Sequence, residues 1–95
     1  MADIAKIQDV IWEMHRCAST HVESVALDER VNGKQIWAGT VEVFDLANHS
    51  KAKRCFAWSY KDEKGEDCYC AVLDIPPVTN ARIAVMATLL ARAKK

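Results

Sequence analysis

Glycine and proline are scarce in this chain, with three copies of one and two of the other. The glycines stand alone at Gly33, Gly39 and Gly65, so they build no loop that could cradle a phosphate. The prolines are adjacent, Pro76 and Pro77, which leaves no proline-rich linker or recognition segment. Charge of either sign is not in excess: 13 lysines and arginines meet 13 aspartates and glutamates. That balance argues against the basic stripe of a nucleic-acid binder. It also removes the self-repulsion that keeps copies of a protein apart. No apolar run reaches the roughly 18 residues that a membrane span needs. Met1 is followed by no cationic-then-apolar leader. The expectation is a cytoplasmic protein with no membrane partner.

Cysteine spacing excludes as much as it offers. Cys17, Cys55, Cys68 and Cys70 are the four thiols. Cys68-x-Cys70 lacks the Cys-x-x-Cys spacing of zinc or redox sites, and two thiols placed so on one strand close a disulfide poorly. No metal and no cofactor is expected, and the cysteines are read as reduced, buried apolar side chains. His49 stands beside Ser50 in a turn without a third group to orient it, so a nucleophilic triad lacks support.

What is present is a sheet. Gln35 to Tyr60 reads as two strands rich in β-branched and aromatic residues around the polar turn ANHSKAKR. Before it, residues 20–31 read as a strand closed by Asn32-Gly33, the strongest hairpin signal in the chain. That turn sets Val31 opposite Lys34. The second strand is expected over 34–46, the third over 52–61, and the fourth over 67–75, where the prolines end it. Residues 3–18 carry Ile4, Ile7, Ile11, Met14 and Ala18 on one helical stripe, with Asp3 as cap. A second helix is expected over 80–93, with Thr79 as N-cap and Arg92, Lys94 and Lys95 at its negative end. Ile83, Met86 and Leu90 form one stripe of it, and Val85 and Leu89 lie on another side. A hydrophobic content of 51% is ordinary for a globular fold. The expected architecture is one α+β domain over residues 1–95: a four-stranded antiparallel meander with the N- and C-terminal helices packed on one face.

Alternation along those registers sorts the side chains. One face collects His21, Glu23, Glu42, Arg54, Phe56 and Trp58, with Glu23 opposite Glu42. Such a set is what a small polar pocket in apolar surroundings needs. The plainer reading of it is a structural ion cluster, with Arg54 paired diagonally to Glu42. The other face carries Trp37, Val41, Val43, Cys55 and Ala57. Left uncovered, it is a candidate face for a two-fold homodimer.

The block WAGTVEVFDLANHSKAKRCFAW, followed by VLDIPPV, resembles small bacterial proteins without an assigned activity, among them products of integron gene cassettes. The resemblance covers residues 37–78 and implies a small, oligomeric bacterial protein; it carries no site residue onto this chain. The order helix, strands, helix is also similar to that of double-stranded-RNA-binding domains. Here, though, the last helix opens TNARIAVMA, without that family's basic start.

Three functional expectations follow. The first is a homodimeric binding module that holds a small-molecule ligand near Glu42, Arg54, Phe56 and Trp58. The second is a small enzyme using Glu23, Glu42 and His21 as acid and base. The third is RNA binding through Lys51, Lys53 and Arg54, which nearby Asp62, Glu63, Glu66 and Asp67 offset.

Overall fold

Asn32 and Gly33 adopt φ of 53° and 78°, the left-handed pair that a two-residue type I′ turn requires. They join β1 (Ser19–Val31) to β2 (Lys34–Leu46). The remaining elements of this computed structural model are α1 (Ile4–His15), β3 (Arg54–Lys61), β4 (Asp67–Leu73) and α2 (Ala81–Ala93). The structure describes residues 4–61, 63–76 and 78–93, with side chains through residue 90. The expectations placed on Asp3, Asp62, Pro77, Lys94 and Lys95, and on the side chain of Arg92, fall outside the described residues.

The strands form one antiparallel sheet in the order β1-β2-β3-β4, the meander that short connections dictate. The fold is α+β, with a helix at each end. The two helices do not share a face. Ile7 and Ile11 of α1 pack with Phe44, Cys55, Ala57 and Ala71. Ala81, Ala84 and Val85 of α2 pack with Val41, Val43, Phe56 and Trp58. Phe56 and Ala57 are successive residues and point to opposite sides of a strand, so the sheet is sandwiched between the helices. Both of its faces are apolar, and one helix covers part of each.

The register departs from the hairpin's own count at two bulges. Val31 faces Lys34 and Arg30 faces Gln35, but Glu29 faces Trp37, leaving Ile36 as an extra residue on β2. Farther along, Glu23 faces Val43 while His21 faces Phe44, leaving Val22 extra on β1. Each bulge moves the residues beyond it to the opposite face. Both extra residues are exposed apolar side chains. On the β3 side, β2 is paired only from Glu42↔Ala57 to Asp45↔Arg54. The outer half of the β1–β2 hairpin therefore extends beyond β3.

Helix α1 stops at His15, three residues short of the expected end, because Arg16 turns left-handed at φ 54°. Ile4, Ile7 and Ile11 keep their stripe, but Met14 is exposed and Ala18 lies beyond the helix. In α2 the residues facing the core are Ala81, Ala84 and Val85, all buried, with Leu89 partly buried beside them, rather than Ile83, Met86 and Leu90. The alanines let the helix backbone sit close to the bulky Phe56 and Trp58 below it. The N-cap of α2 is Asn80, not Thr79: Asn80 Oδ1 accepts the Ile83 N–H at 2.9 Å.

Candidate functional site

The bulge at Val22 builds the first polar cluster. It brings His21 and Ser24 onto the α1 face, where Glu42 of β2 also points. His21 Nε2 lies 2.8 Å from Glu42 Oε1, and the Ser24 hydroxyl donates to the same oxygen. Glu42 is 4% exposed. A carboxylate buried this deeply costs several kcal/mol unless it is hydrogen-bonded, and the two donors supply that compensation. The His21 ring stands edge-on to Phe44, with centroids 5.3 Å apart. The expected Glu23/Glu42 pair does not form. Glu23 faces Val43 and Ser24 faces Glu42, so the two carboxylates lie on opposite faces of the sheet.

The α2 face holds the second cluster, a cleft of about 540 Å³ between the sheet and the start of α2. Its floor is Val25, Leu27, Val43 and Phe56, and its rim includes Glu23, Arg54, Asp74, Asn80 and Arg82. The first turn of α2 forms one wall, so the positive end of the helix dipole faces the opening. Both arginines are held by carboxylates. Arg54 Nε donates to Asp45 Oδ1 at 3.2 Å across the β2–β3 pair, not to Glu42 as the ion-cluster reading had it. Arg82 Nε donates to Glu29 Oε1 at 2.6 Å, and Glu29 is buried against the sheet. Neither Glu23 nor Asp74 has a side-chain partner among the described residues.

Of the six residues expected to share a pocket, Glu23, Arg54 and Phe56 line this cleft. His21 and Glu42 meet on the reverse face. Trp58 is buried in the α2 core, edge-on to Trp37 at 6.2 Å between centroids. The residues read as a dimer face are likewise divided. Trp37, Val41 and Val43 lie under α2, whereas Cys55 and Ala57 lie under α1. Val41, Val43, Cys55 and Ala57 are core residues within one chain, so they do not form a free surface.

Four residues play parts that the sequence reading does not assign. Asp74 lies just past the end of β4, where its N–H still bonds the Arg54 carbonyl at 2.9 Å, and it lines the cleft on the same side as Val72. Glu29 and Arg82 meet across 53 positions of sequence, and no local pattern signals that contact. His49 is not a solvated turn tip. Its Nδ1 accepts the N–H groups of Lys51 at 3.1 Å and Ala52 at 2.9 Å, which organises the β2–β3 turn and fixes the ring proton on Nε2. Lys51 and Lys53 are exposed, but Arg54 turns into the cleft, so the three cations do not form one patch.

Among the described residues none of the four cysteines is joined in a disulfide. Cys17 and Cys55 are buried and Cys68 and Cys70 half-buried. Burial pushes the Cys55 thiol up to about 12, with a smaller contribution from neighbouring Cys17. Among the described residues no group of histidine, cysteine and carboxylate side chains is placed to hold a metal ion, and no helix is long and apolar enough to cross a membrane. No family model, curated protein or solved structure matches this chain.

Proposed function

We propose that this protein is a binding module whose ligand is a small molecule held in the cleft between the sheet and the first turn of α2. The observation that carries the reading is the cleft itself: about 540 Å³, with a floor of Val25, Leu27, Val43 and Phe56 and charged groups only around its rim. Apolar floors bury a ligand's body and a few polar groups orient it, which is the usual composition of small-molecule sites. The parts are also firmly mounted. Val43 and Phe56 are buried strand residues, and Asn80 caps the helix wall. A fragment screen read by amide chemical shifts tests this. Hits should move Glu23, Val25, Val43, Ala81 and Arg82 as a group, and Val25→Trp should fill the space and remove the response. If no fragment moves that group, the reading fails.

The His21–Glu42 pair supports a second reading, acid–base catalysis. An imidazole held at 2.8 Å by a buried carboxylate is the arrangement that orients a general base. The pair lies on the α1 face, so it does not reach a ligand in the cleft. Its test is a turnover screen in which His21→Ala abolishes any activity found; activity that survives this change removes the pair from consideration.

A further inference from the structure

Two arginines and a helix N-terminus at the mouth of a cleft suggest an anionic ligand. The pairing of the charges points the other way. Arg54 is engaged by Asp45 and Arg82 by Glu29, so both cations are offset by carboxylates of the protein. Glu23 and Asp74 line the same cleft and have no side-chain partner among the described residues. Counting the rim residues with their ion-pair partners, four carboxylates (Glu23, Glu29, Asp45, Asp74) stand against two guanidinium groups. A helix dipole contributes about half a positive charge, too little to reverse that excess.

From this balance we infer that the cleft takes an organic cation: a primary amine on an apolar body, its ammonium group at Glu23 or Asp74 and its body on the apolar floor of Val25, Leu27, Val43 and Phe56. The sheet register lays out the floor and sets the two carboxylates at its opposite edges, Glu23 on β1 and Asp74 just past β4. Glu23, Val43, Phe56 and Val72 form one row across the four strands, and Asp45, Arg54 and Asp74 form the next. An ammonium at either carboxylate adds positive charge that the cleft lacks.

The inference rests on the cleft being a ligand site, and matched probes separate the two claims. Hexylamine, hexanol and hexanoate share one apolar body and differ in charge. Titrations followed by amide shifts of Glu23, Val25, Val43 and Ala81 should show hexylamine binding at least tenfold more tightly than hexanoate, with hexanol between them. Added salt should weaken hexylamine alone. Glu23→Gln with Asp74→Asn should cost hexylamine roughly tenfold and leave hexanol unchanged. Arg54→Gln frees Asp45 and should tighten hexylamine about threefold, on the scale of one exposed ion pair. Damage to the fold would not produce tighter binding. If hexanol or hexanoate binds as well as hexylamine, the charge preference is overturned while the cleft reading stands. If none of the three moves these amides, both fall.

Discussion

The indole of Trp37 lies over Gly39: a β-carbon at Gly39 would stand 3.1 Å from Trp37 Cη2 and 3.3 Å from Cζ2. The two residues are on the same side of β2, two apart, so the ring folds back along its own strand. There it meets Trp58 edge-on, beyond the last β2–β3 pair. The aromatic contact closes the α2 face where the backbone ladder has ended, and glycine is the residue that leaves room for it.

Gly39→Ala sets two effects against each other. Overpacking costs about 1–3 kcal/mol, while lost backbone freedom in the unfolded chain returns about 0.4–1 kcal/mol. The contact is tight and the ring is packed against Trp58, so overpacking wins. Urea melts should show a net loss of roughly 1 kcal/mol, with a changed near-ultraviolet signal from the displaced indole. In a Trp37→Ala background the obstacle is gone, and the same substitution should be neutral or slightly stabilising. Equal losses in both backgrounds would show that the ring does not set the requirement for glycine.

Glu42 is expected to be important for stability because of the groups bonded to it. Glu42→Ala leaves His21 and Ser24 without their acceptor and opens a hole beside Phe44. The expected loss is about 3 kcal/mol, against about 1 kcal/mol for Glu42→Gln, which keeps an acceptor oxygen. The coupling is the sharper measurement. His21→Phe should destabilise the native chain clearly more than it destabilises Glu42→Ala, by at least about 0.5 kcal/mol in a double-mutant cycle. Strict additivity would mean that the pair contributes nothing.

His49 makes a similar but local prediction. Its Nδ1 accepts two backbone N–H groups, of Lys51 and Ala52, and His49→Ala should cost about 1–2 kcal/mol in thermal or urea unfolding. Asparagine can accept from the backbone two residues on, so His49→Asn should recover part of that loss. A His49→Ala chain as stable as the native one would show that solvent satisfies these groups.

The physical basis of each reading explains which expectations held. The Asn32-Gly33 turn needs two left-handed residues, a local demand written in the dipeptide, and the end of β1 and the start of β2 follow from it. The element order and the α+β class follow in the same way from periodicity and short connections. Facing was harder to read, because it depends on counting residues across strand pairs, where one extra residue reverses the answer. Val22 and Ile36 are such residues, and neither is a glycine or otherwise marks a bulge. Between them Glu23 changes sides relative to Glu42, which separates the expected carboxylate pair and brings Ser24 to Glu42 instead. The cleft is partly legible, through Glu23, Arg54 and Phe56. Its other half comes from α2, whose small buried face of Ala81 and Ala84 gives a weaker signal than the larger Ile83, Met86 and Leu90. Sequence alternation showed that both sheet faces were apolar; placing the two helices on one of them left the other to be explained by a dimer, where a helix on each face suffices.

Cys55 connects burial to an alkaline limit on stability. Its thiol is pushed from the ordinary 9.0 up to about 12, by burial first and by Cys17 second. In the unfolded chain the same thiol ionises near its ordinary value. Below pH 9 it is protonated in both states and its contribution to folding is fully present. Above that, the unfolded chain releases a proton that the folded chain keeps, so stability falls by up to about 1.4 kcal/mol per pH unit until the folded thiol also ionises. Lys61, whose ammonium is held in the charged form by Asp67, and other basic groups titrate in this range too, so the native curve alone is not diagnostic. Cys55→Ala is the control. It lowers stability at pH 7 through the cavity it leaves, but it lacks the thiol and should lose stability more slowly between pH 9 and pH 10.5. The two urea-derived curves are therefore expected to converge as pH rises. Curves that stay parallel across that interval would show that the Cys55 thiol does not govern the alkaline loss.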